Sequence, residues 1–131
     1  MPKRVEVNPK WPWAEKFAFN LGIKVGNTVY VSGTVAWDPD GTIVGPGDML
    51  AQSRKAFANL KEILAEAGAS MDDVVKITAF LTDIGRYAEY SQARSEAFTN
   101  NMPASTAVTS PRLIQDELMV EIEAIAEIGS G

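Results

Sequence analysis

Five stretches of this chain carry strand periodicity and only two carry helical periodicity, and that imbalance restricts the folds open to it. Phe17 to Lys24 reads as a strand and Asn27 to Thr34 as a second, joined by a tight hairpin turn at Val25-Gly26-Asn27. Gly33, inside the β-branched and aromatic pattern of the second strand, marks a bulge or a close backbone approach. A helix is expected from Met49 to about Ala67, capped by Asp48 and ending at Gly68. Ala56, Leu60, Ile63, Leu64 and Ala67 give it one apolar face, while Gln52, Lys55, Asn59, Lys61, Glu62 and Glu66 suit the solvent side.

Ser70 to Asp73 has the pattern of a capping box opening a short turn. Val74 to Thr82 follows as a strand, with Val75, Ile77, Ala79 and Leu81 on one face and Val74, Lys76, Thr78, Phe80 and Thr82 on the other. Arg86 to Thr99 is the second helix, its inner stripe formed by Tyr87, Tyr90, Ala93, Ala97 and Phe98. Strands at Ser105 to Ser110 and Leu118 to Ala126 complete the order β-β-α-β-α-β-β. Residues 1 to 16, with Pro2, Pro9 and Pro12, are expected to form an irregular lead-in to a single domain spanning 1–131. Two amphipathic helices cover one face of such a sheet. The other face still carries Phe, Val, Ile and Met, and an apolar face of that size is usually buried in an oligomer.

The chain has neither cysteine nor histidine. Thiol nucleophiles, disulfides and serine–histidine triads are thereby excluded, and zinc is not expected. Acid–base chemistry falls to Asp, Glu, Lys, Tyr or water. The segment Asp38-Pro39-Asp40-Gly41 is too short for a calcium loop and reads as a turn. The net charge of −5, with basic residues scattered along the chain, disfavours nucleic acid as a partner. No apolar run approaches the length needed to span a bilayer, and the start has no signal-peptide pattern, so a cytoplasmic protein is expected.

Several motifs together resemble the RidA/YjgF family, whose best-studied members deaminate reactive enamines and imines. Phe19 to Gly26 is similar to the family's first hairpin, and Asn27 to Thr34 to its strand ending in Ser-Gly-Gln or Ser-Gly-Thr. Gln52 to Leu60 with Ala67 to Ser70 resembles the first helix and its exit, and Asp73 to Asp83 the strand that follows. Pro103-Ala104 and Val120-Glu121-Ile122-Glu123-Ala124 complete the match. The resemblance implies an α+β, chorismate-mutase-like domain with two helices on one sheet face. It also implies a homotrimer with inter-subunit clefts for a small-molecule ligand, and no cofactor or metal. In the family, an arginine clamps the substrate carboxylate and a glutamate on the last strand holds the water that attacks the C=N carbon.

That glutamate falls on Glu121, which without the resemblance reads as an interface carboxylate on an alternating strand. Glu123 shares its strand face and is secondary. The arginine is replaced by Ser105, which cannot supply charge to a carboxylate. Phe19 stands where deaminating members usually have tyrosine, Ser91 where asparagine is common, and Ala107 where cysteine is common. Four departures together imply a changed ligand. Ser32 and Gly33 are expected to line the cleft, with Trp37 and Tyr90 adding aromatic surface. Arg112 is the candidate to replace the lost charge, although its place in a loop also fits a structural role. The expected activity is hydrolysis of enamine or imine metabolites with altered specificity. A non-catalytic ligand-binding trimer is the main alternative, and a ribonuclease or translation inhibitor fits the acidic chain less well.

Overall fold

The computed structural model of the chain describes residues 2–131. Its elements run β1 (Arg4–Val7), β2 (Gly22–Val25), β3 (Thr28–Thr34), α1 (Met49–Glu66), β4 (Val74–Leu81), α2 (Tyr87–Ala97), β5 (Ala104–Thr109) and β6 (Val120–Glu127). All six strands form one sheet in the order β1-β2-β3-β6-β4-β5. Pairing is antiparallel except for β4 with β5, which run parallel across the α2 crossover. The fold is α+β with both helices on one sheet face, as the periodicities require. Among the described residues, no helix is long and apolar enough to cross a membrane.

The core lies between the helices and the sheet. Ala56, Leu60, Ile63 and Leu64 of α1 are fully buried against Ile77, Ala79 and Leu81 of β4 and Val120, Ile122 and Ala126 of β6. The alternation expected along the last strand is present, with Leu118, Val120, Ile122 and Ala124 inward. Asp48 caps α1 by accepting from the Ala51 N–H at 3.0 Å, and Ser70 and Asp73 form the reciprocal capping box. Gly26 takes φ +60° in the β2–β3 turn, a conformation that an L side chain rarely adopts.

Four expectations are corrected. The lead-in is not irregular throughout: Arg4–Val7 is an edge strand on β2, and Ala14–Lys16 forms a 3-10 turn. β2 begins at Gly22, because Phe17 and Phe19 belong to an aromatic cluster with Trp13 and Trp37. Gln52 and Asn59 are buried, not on the solvent side of α1. Gln52 Nε2 donates to the carbonyls of Gly45 and Glu117 while its Oε1 accepts from the Met119 N–H. Asn59 Nδ2 donates to the carbonyls of Val35 and Trp37. Both amides satisfy loop backbone that would otherwise be buried without partners. Finally, Val74 is buried and Val75 exposed, the reverse of the expected faces. A register shift against β6 between Val74 and Lys76 inserts one residue, and the alternation reverses across it.

The sheet face away from the helices presents Tyr30, Ile125 and Val108 at least a third exposed, beside Lys76, Thr78 and Glu123. Among the described residues, no helix covers this face.

Candidate active site

The expected site residues separate into two groups on opposite faces of the sheet. The first centres on the bulge of β3. Val31 pairs with Ala124 and Thr34 with Ile122, so Ser32 and Gly33 oppose a single step of β6. Ser32 Oγ donates to the Asn20 carbonyl at 2.7 Å and its N–H to the Leu21 carbonyl at 2.9 Å. These bonds hold the segment carrying Phe19 beside the bulge. Glu121 lies directly over Gly33: a Cβ built there would overlap the Glu121 carboxylate, with its Cδ only 2.7 Å away. Gly33 is required by this approach, not by its backbone angles.

Glu121 is partly buried and has no ion-pair partner among the described residues. Burial pushes its carboxyl pKa up, and the charge of Glu123 two residues on adds to the shift. The flank of this group is aromatic. Phe19 packs on Phe17 at 5.7 Å between centroids, Phe17 stacks on Trp37 at 6.3 Å, and Trp13 meets Trp37 edge-on at 4.6 Å. Trp37 is itself buried, with Nε1 donating to Gln115 Oε1 at 2.8 Å, whereas Phe17 and Phe19 remain exposed.

The second group lies at the β5 edge, against α2. Ser105 pairs with Ile77 and Ala107 with Ala79, both buried beneath the helices, so Ser105 and Ala107 point to the helix side. There Ser105 meets a residue that the sequence did not single out. Arg94 Nη1 donates to Ser105 Oγ at 3.0 Å, and Nη2 donates to Tyr87 Oη at 3.0 Å and Ser91 Oγ at 3.2 Å. Its guanidinium carbon is 5.6 Å from the Tyr87 ring centroid and 5.4 Å from that of Tyr90. Tyr90 is fully buried, with its hydroxyl beside the side chains of Ser105 and Arg94. Burial raises the Tyr90 pKa, opposed by the charge of Arg94. The helical spacing Tyr87, Ser91, Arg94 was the available signal for this face. That it meets Ser105 depends on the parallel β4–β5 crossover.

Arg112 joins neither group through its own polar contacts. It is exposed, pairs with Asp116 at 3.1 Å, and accepts from Ser110 Oγ through its carbonyl.

The two groups are far apart within one chain. Glu121 is opposite Phe80 and Ser105 opposite Ile77, so they differ by two strand spacings and three residues along β4. That places their Cα atoms on the order of 14 Å apart, with side chains on opposite faces.

Comparison with known proteins agrees with this architecture. The family model described as Endoribonuclease L-PSP matches residues 13–128. A RutC family protein of Pyrococcus abyssi is 41% identical over 108 residues, covering 82% of this chain and 84% of that protein. The crystal structure of RidA from an Antarctic Psychrobacter superposes with a TM-score of 0.87 at 32% identity, covering 95% of this chain and 99% of that one. The YjgF gene product of E. coli gives 0.86 at 30% identity, covering 94% and 98%.

Proposed function

The chain belongs to the Endoribonuclease L-PSP family, the YjgF/RidA group, and from that premise we propose that it hydrolyses the C=N bond of reactive imines, and of enamines after tautomerisation, releasing ammonia. The observation carrying this reading is Glu121, a half-buried carboxylate with a raised pKa set over the Gly33 bulge. A base whose pKa is raised toward neutrality accepts a proton from water more readily than an ordinary carboxylate. Glu121 orients the water and takes its proton as the oxygen bonds to the imine carbon. The C=N electron pair passes to nitrogen, which is protonated. Glu121 returns its proton to that nitrogen, and collapse of the carbinolamine to the carbonyl expels ammonia, so imine and water give a carbonyl compound, a 2-oxo acid where the substrate is a 2-imino acid, and ammonia.

Phe19, Phe17 and Trp37 supply an apolar flank for the substrate's side chain. Ser32, Gly33, Ser91, Ser105 and Ala107 line the remainder. The working unit is a homotrimer in which the exposed apolar sheet face is buried between copies. Ribonuclease chemistry is the weaker reading, because the net charge is −5 and a clustered basic surface is what polyanion binding requires.

One observation favours a second reading. Ser105 directly follows Pro103-Ala104, the position at which the family resemblance implies an arginine in deaminating members, and a trimer that binds a small ligand without hydrolysing it would tolerate serine there. Turnover separates the two. Amino-acid oxidases generate a panel of 2-imino acids in situ, uncharged imines are added separately, and imine decay and ammonia release are followed. Hydrolysis abolished by Glu121→Gln supports the enzyme. A folded trimer that accelerates no imine in the panel supports the binding protein.

A further inference from the structure

Among the described residues Arg94, like Arg4 at the N-terminal edge strand, has no counter-charge, whereas the three other arginines each have one. Arg54 is paired with Glu96, Arg86 with Glu89 and Arg112 with Asp116. Both carboxylates of α2, Glu89 and Glu96, are therefore committed elsewhere. The groups around Arg94 are neutral: the hydroxyls of Ser105, Tyr87 and Ser91, and the faces of Tyr87 and Tyr90. Hydroxyl oxygens and ring faces fix a guanidinium in position without cancelling its charge. Three of its N–H donors are used on these oxygens, which leaves Nε and one Nη1 hydrogen uncommitted.

A cation held this way, with spare donors at an open sheet edge, is organised for an anion. We propose that Arg94 is the anion-binding residue of this protein, supplying from α2 the positive charge that Ser105 cannot supply from β5, and that its ligand is a small planar carboxylate. Ser105 then has a definite part. Its Oγ accepts from Arg94 Nη1 and fixes the direction of the guanidinium toward the β5 edge. A larger residue at 105 would compete for the same space. The carboxylate as substrate group rests on the hydrolase reading, but the binding itself is measurable without turnover.

The probe is pyruvate, a 2-oxo acid that carries the carboxylate and cannot be hydrolysed. Its binding to the full-length protein is followed by calorimetry or ligand-observed NMR. Arg94→Gln is expected to weaken binding at least about tenfold, the size of one lost charge-assisted hydrogen bond. Arg94→Lys recovers part of it, and restoring an arginine with Ser105→Arg in the Arg94→Gln background recovers more. Arg54→Gln, which removes a guanidinium paired with Glu96, leaves it unchanged. Equal pyruvate affinity in the native protein and Arg94→Gln overturns the assignment, as does a native protein that binds no pyruvate. Imine turnover is scored separately. A protein that hydrolyses uncharged imines and ignores pyruvate keeps the enzyme and loses the role of Arg94. One that binds pyruvate through Arg94 and hydrolyses nothing keeps Arg94 and loses the enzyme.

Discussion

A carboxyl group packed over a glycine and two residues from a second carboxylate titrates late, and Glu121 has a consequence in stability as well as in rate. Its folded pKa lies above the usual 4.5, through burial first and the Glu123 charge second. The folded protein therefore holds a proton that the unfolded chain has lost. Its contribution favours folding below the usual value and is lost as pH rises through the raised one. Glu121→Gln is accordingly expected to be more stable than the native protein near neutral pH, with the difference vanishing at roughly pH 4. Urea midpoints at the two pH values check this, and a variant less stable at both would contradict the assigned environment. The same variant should lose about 10²–10⁴-fold in turnover, the usual worth of a positioned general base. The acid limb of the rate profile should sit above that of an ordinary glutamate and move down in Glu123→Gln. Gly33→Ala tests the geometry directly. The new Cβ must push the carboxylate aside, and a displacement of that kind should lower kcat roughly 100-fold with little change in Tm. At this scale the sequence was informative: Gly33 interrupted a strand of β-branched residues, and Glu121 fell on the outward phase of an alternating one. Arg94 was not legible, because its meaning lies in Ser105, eleven residues away on another element.

At the scale of elements, α1 shows where a periodicity argument fails. Gln52 and Asn59 are polar and fall on flanks that an apolar-stripe reading assigns to water, yet each is buried and ties a loop to the helix. Gln52 bridges the Gly45 carbonyl, the Glu117 carbonyl and the Met119 N–H, and so fixes the entry to β6. Gln52→Leu keeps the volume and leaves these three groups unpaired, which should cost about 3 kcal/mol. Lys61→Ala, on the exposed flank of the same helix, should stay within about 0.5 kcal/mol. Urea unfolding at constant m distinguishes them. Composition cannot reveal such amides, since the backbone groups they satisfy belong to loops whose path is set only in three dimensions. The extra residue in β4 is similar. Val74 and Val75 are both apolar, so nothing in the sequence says which one turns inward. The bulge decides it. The caps at Asp48 and Ser70, by contrast, are local chemistry and were readable because they act within one turn.

The whole molecule raises a question that one chain cannot answer alone, because Glu121 and Arg94 lie on opposite faces of its sheet. A small substrate cannot touch Glu121 and Arg94 of the same copy, because Arg94 bonds Ser105 on the helix side and the Ser105 and Glu121 backbones are on the order of 14 Å apart with their side chains on opposite faces. The β3 bulge and the β5 edge can meet only across an interface, one copy presenting Glu121 and the next presenting Ser105 and Arg94. This agrees with an apolar sheet face exposing Tyr30, Val108 and Ile125. Ile125→Asp, which places a charge in that face, should shift the protein to monomer in sedimentation and abolish turnover while the core remains folded. A sharper test uses two inactive variants. In Glu121→Gln every site lacks its base. In Ser105→Glu every site has a carboxylate beside Arg94 that neutralises it. If each site draws its two halves from neighbouring copies, co-refolding the variants in equal amounts rebuilds complete sites wherever an intact base faces an intact edge. Random assembly of a cyclic trimer makes that roughly a quarter of all sites, so activity should return to about 25% of native. If both halves came from one chain, no mixture would contain an intact site, and the mixed sample would stay as inactive as its parents.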